Sequence, residues 1–229
     1  MKHDEIPDVV IRRLPVYVRT LRQMKLEGIS SASSEELGGR IGVSAAQIRR
    51  DLSYFGRFGK QGKGYDVDRL EHAITQILHL DRQWDAALVG FGHLGQAIAR
   101  YHGFEENSFR ISAIFARNPD DVGQQVNGVI VLDQSEITDV VRQMGIRIGI
   151  IAVPASAAQG VADQLIDAGV GAILNYAPVV LRVPSNVWTR EIDPTSALQS
   201  LTYYLASTNT AESDSPSSNG RADDVRTLR

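Results

Sequence analysis

Over the first third of the chain, apolar positions recur every three or four residues, the spacing of one face of a helix. The first helix is expected from about Pro7 to Glu27. Ile11, Leu14, Val18 and Leu21 are in register, Pro15 should kink it or start a new helix, and Gly28 stops it. Two short helices follow, separated by the turn Gly42-Val43. Each opens on a capping-box pattern, Ser33-Ser34-Glu35-Glu36 and Ser44-Ala45-Ala46-Gln47. In the second of them, AAQIRRDLSYF, residues Ile48, Leu52 and Phe55 share a face that should be buried. The stretch GRFGKQGKGY that follows reads as a flexible basic hairpin.

From Asp85 the pattern changes. Short apolar runs (DAALV, RISAIF, GVIVL, RIGIIAV, GAILNYA) alternate with helical segments such as SEITDVVRQM and SAAQGVADQLIDAG. Strand and helix in turn predict a parallel sheet covered by helices. A last helix, TSALQSLTYYLAS, carries Leu198, Leu201, Tyr204 and Leu205 on one side, and Ser207 to Arg229 is polar, without an aromatic residue, and reads as disordered.

Charge divides the chain in the same place. Residues 1–82 hold 14 Lys+Arg and 11 Asp+Glu, net +3, and the remainder holds 10 and 16, net −6. Between Arg40 and Lys63 six basic side chains meet a single acid, Asp51. A basic stretch on an acidic chain suggests a polyanion partner. Small residues at the start of the third helix let it approach a groove closely, and Gln47, Arg49 and Arg50 can reach base edges or phosphates. With the glycine hairpin as a wing, residues 1–81 are read as a winged helix-turn-helix domain binding double-stranded DNA. The chain has no cysteine, which excludes disulfides, thiolate metal sites and cysteine nucleophiles. Apolar runs fall short of a membrane span and the N-terminus lacks a signal core, so a cytoplasmic protein without membrane or metal partners is expected.

Directly after AALV stands GFGHLG, Gly90 to Gly95, of the form G-x-G-x-x-G. Between a strand and a helix this is the dinucleotide fingerprint of a Rossmann-like domain, read here over residues 82–194. Catalytic machinery does not accompany it. His93 is a variable loop position, no lysine follows residue 82, and no G-x-S-x-G or metal-ligand cluster appears. No catalytic residues are assigned, and a nucleotide site fused to a DNA-binding domain reads as a sensor. Two other readings stay open: a small NAD(P)-dependent oxidoreductase, and a DNA-binding regulator that senses NADP(H) or another nucleotide, such as a coenzyme A derivative.

Across about Ile6 to Ala206 the chain resembles the Rex family of redox-sensing transcriptional repressors. The resemblance is carried by IRRLPVYVR, SSEELGGRIGVSAAQIRRDLSYFGRFGKQGKGYDV, LVGFGHLGQAIARY, IIAVPASAAQGVADQLIDAGVGAILNYAPVVL and LQSLTYYL. It implies a homodimer on palindromic operators, released by NADH and permitted to bind by NAD⁺, with residues 195–206 exchanged between subunits and 207–229 as a tail. The DNA-facing residues it implies are Arg12, Ser44, Ala45, Ala46, Gln47, Arg49, Arg50, Ser53 and Tyr54, with Lys60 and Lys63 on the wing. For NAD(H) it implies Gly90, Phe91, Gly92, His93, Leu94, Gly95, Val153, Pro154, Asn175 and Tyr101, and for the switch a pair between Arg19 and Asp193.

Two positions depart from that pattern. The acid that binds the ribose 2′-hydroxyl at the end of the second strand is replaced by Ala116, with Arg117 next to it. Weakened discrimination between NAD(H) and NADP(H) is the expectation. Pro194 follows Asp193 where relatives carry a bulkier apolar residue, which changes the packing expected against the nicotinamide.

Overall fold

The computed structural model describes residues 6–60 and 64–213. The chain divides into two compact units, with the boundary between Arg82 and Gln83.

The first unit contains helices α1 (Asp8–Leu26), α2 (Ser34–Ile41), α3 (Ala45–Ser53) and α4 (Val67–Ile77) and strands β1 (Ser31–Ala32), β2 (Gly59–Lys60) and β3 (Gly64–Asp66). The strands form an antiparallel sheet in the order β1-β3-β2. The α1 face made of Val10, Leu14, Val18, Leu21 and Met24 is buried, as its spacing requires, and from Leu14 onward it packs with Leu37, Ile48, Leu52, Leu70 and Ile74. Pro15 does not break α1. It lies on the exposed side of a continuous helix, and buried residues on both sides, Leu14 and Tyr17 among them, hold the turn.

Ser33 closes a full capping box with Glu36. Gly42, at φ 83°, ends α2 in the left-handed region where a glycine costs least. The box expected at Ser44 is only half made. Ser44 Oγ accepts the Gln47 N–H, but the Gln47 side chain turns inward to Asp51. The wing is the β2–β3 hairpin. Lys63, assigned to it from the sequence, lies outside the described residues.

The second unit holds β4 (Trp84–Val89), α5 (His93–Ala99), β5 (Phe109–Ala116), β6 (Gln125–Val126), β7 (Val129–Asp133), α6 (Ile137–Met144), β8 (Ile148–Ile151), α7 (Ala155–Asp167), β9 (Ala172–Asn175), β10 (Trp188–Glu191) and α8 (Pro194–Ser213). The sheet order is β10-β9-β8-β4-β5-β7-β6, parallel throughout except for β6. Alternate residues of the central strands feed two cores. Ala87, Val89, Phe115 and Ile151 pack with α6 and α7, whereas Ala86, Leu88, Ile114 and Ile150 pack with α5. Strand β10 was not anticipated. It is a short, largely exposed edge with the sequence WTRE, which offers no apolar run to read.

Helix α8 begins at Pro194, a residue suited to the first helical position, where no N–H bond is needed. It continues to Ser213, into the segment expected to lack order, and the rest of that tail lies outside the described residues. Its Leu198, Leu201, Tyr203, Tyr204 and Leu205 are all exposed.

Candidate functional site

From β4 the chain steps outward to β5 and β7, whereas β8, on the other side of β4, leads to β9 and β10. Ligands of open parallel sheets bind at the carboxyl ends of the strands where the order reverses. A cleft of about 250 Å³ lies there. Its lining comes from the turn after β4 (Gly90, Phe91, Gly92), the turn after β8 (Ala152, Val153, Pro154) and the tip of β5 (Ala116, Arg117, Asn118), with Asp121 and Gln134 at its edge.

The three glycines have different reasons to be there. Gly90, at φ 102°, would place a Cβ 2.3 Å from the Ala152 carbonyl oxygen. A Cβ on Gly95 would come within 1.9 Å of the Gly90 carbonyl oxygen. Both are required by the fold itself. Gly92 is not: its φ is −69° and nothing lies within 4 Å of where its Cβ would be. No contact within the chain explains a glycine at 92, but close approach of a ligand to the main chain does. The start of α5 at Gly92 also lacks a side-chain cap, which suits an anion.

Other residues assigned to this site lie elsewhere. His93 and Leu94 open α5 with exposed side chains and do not line the cleft. Tyr101 is exposed and meets Phe104 edge-on at 5.3 Å. Asn175 is fully buried and committed to the chain. Its Nδ2 donates to the carbonyls of Ala177 (3.1 Å) and Val179 (2.8 Å), and its Oδ1 accepts the Ala177 N–H at 3.0 Å. It shapes the turn after β9 rather than facing a ligand in the cleft. Asp193 accepts the Thr195 N–H at 2.9 Å and so caps the start of α8. Arg19 lies on α1 in the first unit, on a groove it shares with Arg12, Arg13 and Arg40.

At the helix-turn-helix, the outer face of α3 is less uniformly basic than its sequence suggests. Arg49 is tied back to Ser34 (3.0 Å) and Glu35 (3.2 Å), and Arg12 is paired with Asp8 at 2.6 Å. Arg50 is exposed, and neither it nor Arg57 makes an ion pair among the described residues. Ala45 and Ala46 present small side chains in the first turn. Ser53 folds back on the Arg50 carbonyl at 2.7 Å, and Tyr54 caps the helix end. Between α3 and the wing lies a hollow of about 630 Å³, lined in part by Arg49, Ser53 and Arg57.

Under this face sits a buried carboxylate. Asp51 has no exposed surface and takes four hydrogen bonds: two from Arg13 (Nε 2.6 Å, guanidinium NH₂ 2.7 Å), one from Tyr17 (2.5 Å) and one from Gln47 (2.7 Å). Burial alone would raise its pKa, but the bonds from Arg13, Tyr17 and Gln47 outweigh it and hold the carboxyl below its usual range. Burial, and then the bond to Asp51, push the Tyr17 hydroxyl well above an ordinary tyrosine. An ionised carboxylate only accepts, so Gln47 must turn its amide nitrogen inward and its Oε1 away from Asp51.

Comparison with known proteins agrees with both halves. The family model described as "CoA binding domain" matches residues 81–179, and the one described as "Putative DNA-binding protein N-terminus" matches residues 5–53. The redox-sensing transcriptional repressor Rex of Roseiflexus sp. (strain RS-1) is 56% identical over 94% of this chain and 98% of its own. That of Chloroflexus aggregans is 57% identical over 90% of this chain and 97% of its own. The chain belongs to the Rex family. Among solved structures, the Rex-family repressor RSP in complex with β-NAD⁺ and operator DNA matches with a TM-score of 0.85 at 38% identity, covering 91% of this chain and 96% of that one. RSP in complex with β-NADH matches with a TM-score of 0.83 at 36% identity, over 91% and 98%.

For this Rex chain, sequence reasoning missed Arg13, Tyr17 and Asp51. They are far apart in sequence, and the one available signal was that Asp51 is the single acid in a basic stretch. It also missed Asn118 and Asp121, which reach the cleft only because the β5 tip turns there.

Proposed function

We propose that this chain is a redox-sensing repressor that binds operator DNA through α3 and the wing and is released when NADH occupies the cleft. The observation that carries the nucleotide half is Gly92, a glycine the fold does not need, placed where the strand order reverses. Support for the rest comes from RSP, solved with β-NAD⁺ and operator DNA and with β-NADH. Gly90, Phe91, Gly92, Val153 and Pro154 meet the nucleotide. Ser44, Ala45, Ala46, Gln47 and Arg50 meet DNA, with Lys60 on the wing. The exposed apolar side of α8 is the face a second copy covers, giving a homodimer, and Arg19 and Asp193 form the switch pair between its states. The protein is a regulator rather than an enzyme and works in the cytoplasm, where its DNA is. Among the described residues no helix is long and apolar enough to cross a membrane, and no cluster of residues suited to a metal occurs.

The test is fluorescence anisotropy of a labelled palindromic operator duplex, titrated with NADH, NAD⁺ and coenzyme A. Release by NADH at concentrations where NAD⁺ has no effect is the expected result. Release by coenzyme A alone would assign the cleft to that nucleotide, and DNA binding indifferent to all three would reject the sensor.

A further inference from the structure

We infer that the tip of β5 in this chain forms a subsite for a phosphate on the adenosine ribose 2′-oxygen, so that NADPH is bound alongside NADH. This rests on reading the cleft as a dinucleotide site. In such sheets an acid at the end of the second strand accepts the ribose 2′-hydroxyl and repels a 2′-phosphate. Here that strand is β5 and its last residue is Ala116, 2% exposed and uncharged. The repulsion is gone.

The next residue supplies the opposite charge. Arg117 is exposed, lines the cleft and has no hydrogen bond or ion pair with any described residue. The contrast with the start of the same strand is direct: Arg110 is held by Asp85 at 2.6 Å. A free guanidinium can grip a phosphate through two parallel N–H donors. Asn118, beside it in the lining, accepts the Asp120 N–H with Oδ1 at 3.3 Å, which leaves its amide NH₂ as a further donor.

The neighbouring carboxylates decide between exclusive and shared use. Asp133 pairs in register with Ala116 from β7, but it does not line the cleft, and its Oδ1 accepts the Ser135 N–H (2.8 Å) and hydroxyl (2.6 Å), so it does not replace the missing acceptor. Asp121 does line the cleft, where its carboxylate accepts Gln124 Nε2 at 3.3 Å. It can take a ribose hydroxyl, and it opposes a phosphate. One cation and one anion at the same rim favour acceptance of both nucleotides over strict choice of either.

Isothermal titration of the full chain with NADH and NADPH tests this. Dissociation constants within about tenfold of each other are expected. Arg117→Ser should weaken NADPH relative to NADH by about tenfold or more, and Asp121→Asn should weaken NADH relative to NADPH. Ala116→Asp should remove NADPH binding; because Ala116 is buried, the exposed Arg117 variant is the safer measure. A preference for NADH of more than about tenfold in the unaltered chain, or a ratio unmoved by Arg117→Ser, overturns the proposal. Binding of NADH without NADPH rejects the subsite alone, whereas binding of neither rejects the dinucleotide reading beneath it.

Discussion

The two units of this chain make their candidate sites from different materials. In the second unit, the turns after β4 and β8 offer main chain; Gly90 and Gly95 let the backbone close up, and Gly92 keeps a side chain out of the way. In the first unit, the face of α3 proposed for DNA stands on an ion pair, with Arg13 and Asp51 joined beneath Gln47 and their side chains 22% and 0% exposed. The glycine turns depend on atoms that are absent, the ion pair on charges that must all be present. A main-chain site fails when something is added to it. A buried pair fails when one partner is taken away, because the other is left charged and without solvent.

Adding to the main-chain site should have the largest effect. Gly92→Val leaves the fold unobstructed but covers the main chain a pyrophosphate must approach, and should lower NADH affinity by at least ~100-fold, about 2.7 kcal/mol, by titration calorimetry. Operator binding by the same variant should persist and lose its response to NADH. Loss of both together would mean that the two units do not fail separately.

Removing from the charged site comes next. Asp51→Ala should destabilise the first unit by about 3–5 kcal/mol in urea unfolding, with NADH binding retained. A variant as stable as the unaltered chain would show that Asp51 is not the keystone of this face.

Acid separates the two units more gently. The Asp51 carboxyl titrates below its ordinary value when folded, so its contribution is complete above about pH 4 and is lost as pH falls through the depressed value. Glu71, held by Arg22 at 3.1 Å and Lys25 at 3.4 Å, acts in the same direction. Unfolding followed from about pH 6 down to pH 3 should lose stability more steeply in the unaltered chain than in Asp51→Asn. Equal slopes would remove Asp51 from the account.

The smallest effect distinguishes the two arginines of α3. Arg50→Ala should weaken operator binding and lower the slope of log affinity against log salt by about one. Arg49→Ala should change the slope less, because Arg49 is already tied to Glu35 and Ser34. The reverse order would show that DNA draws Arg49 away from α2.

The same difference in materials governs what could be read from the chain. GFGHLG is legible because a missing Cβ is written in the sequence, and its place between strand and helix follows from the apolar runs on either side. Ser33 and Glu36 are legible because a capping box spans four residues. The Asp51 cluster is not, since its members are 34 and 38 residues apart and meet only through tertiary packing. Strand β10 escaped notice because an exposed edge carries no hydrophobic pattern, and Pro15 misled because local propensity was overruled by the packing of α1 on both sides of it. Asn175 was drawn toward the nucleotide by resemblance, while its three bonds hold the turn after β9.

Gly92 also has a consequence for how such a sensor can change its subject. Main chain that grips a pyrophosphate does so for any nucleotide that carries one, so the glycine turn does not choose among metabolites. Choice falls to side chains at the rim, at the tip of β5. Redirecting the reporter from one currency of the cell to another would then take one or two substitutions there, with the fold and its operator left as they are.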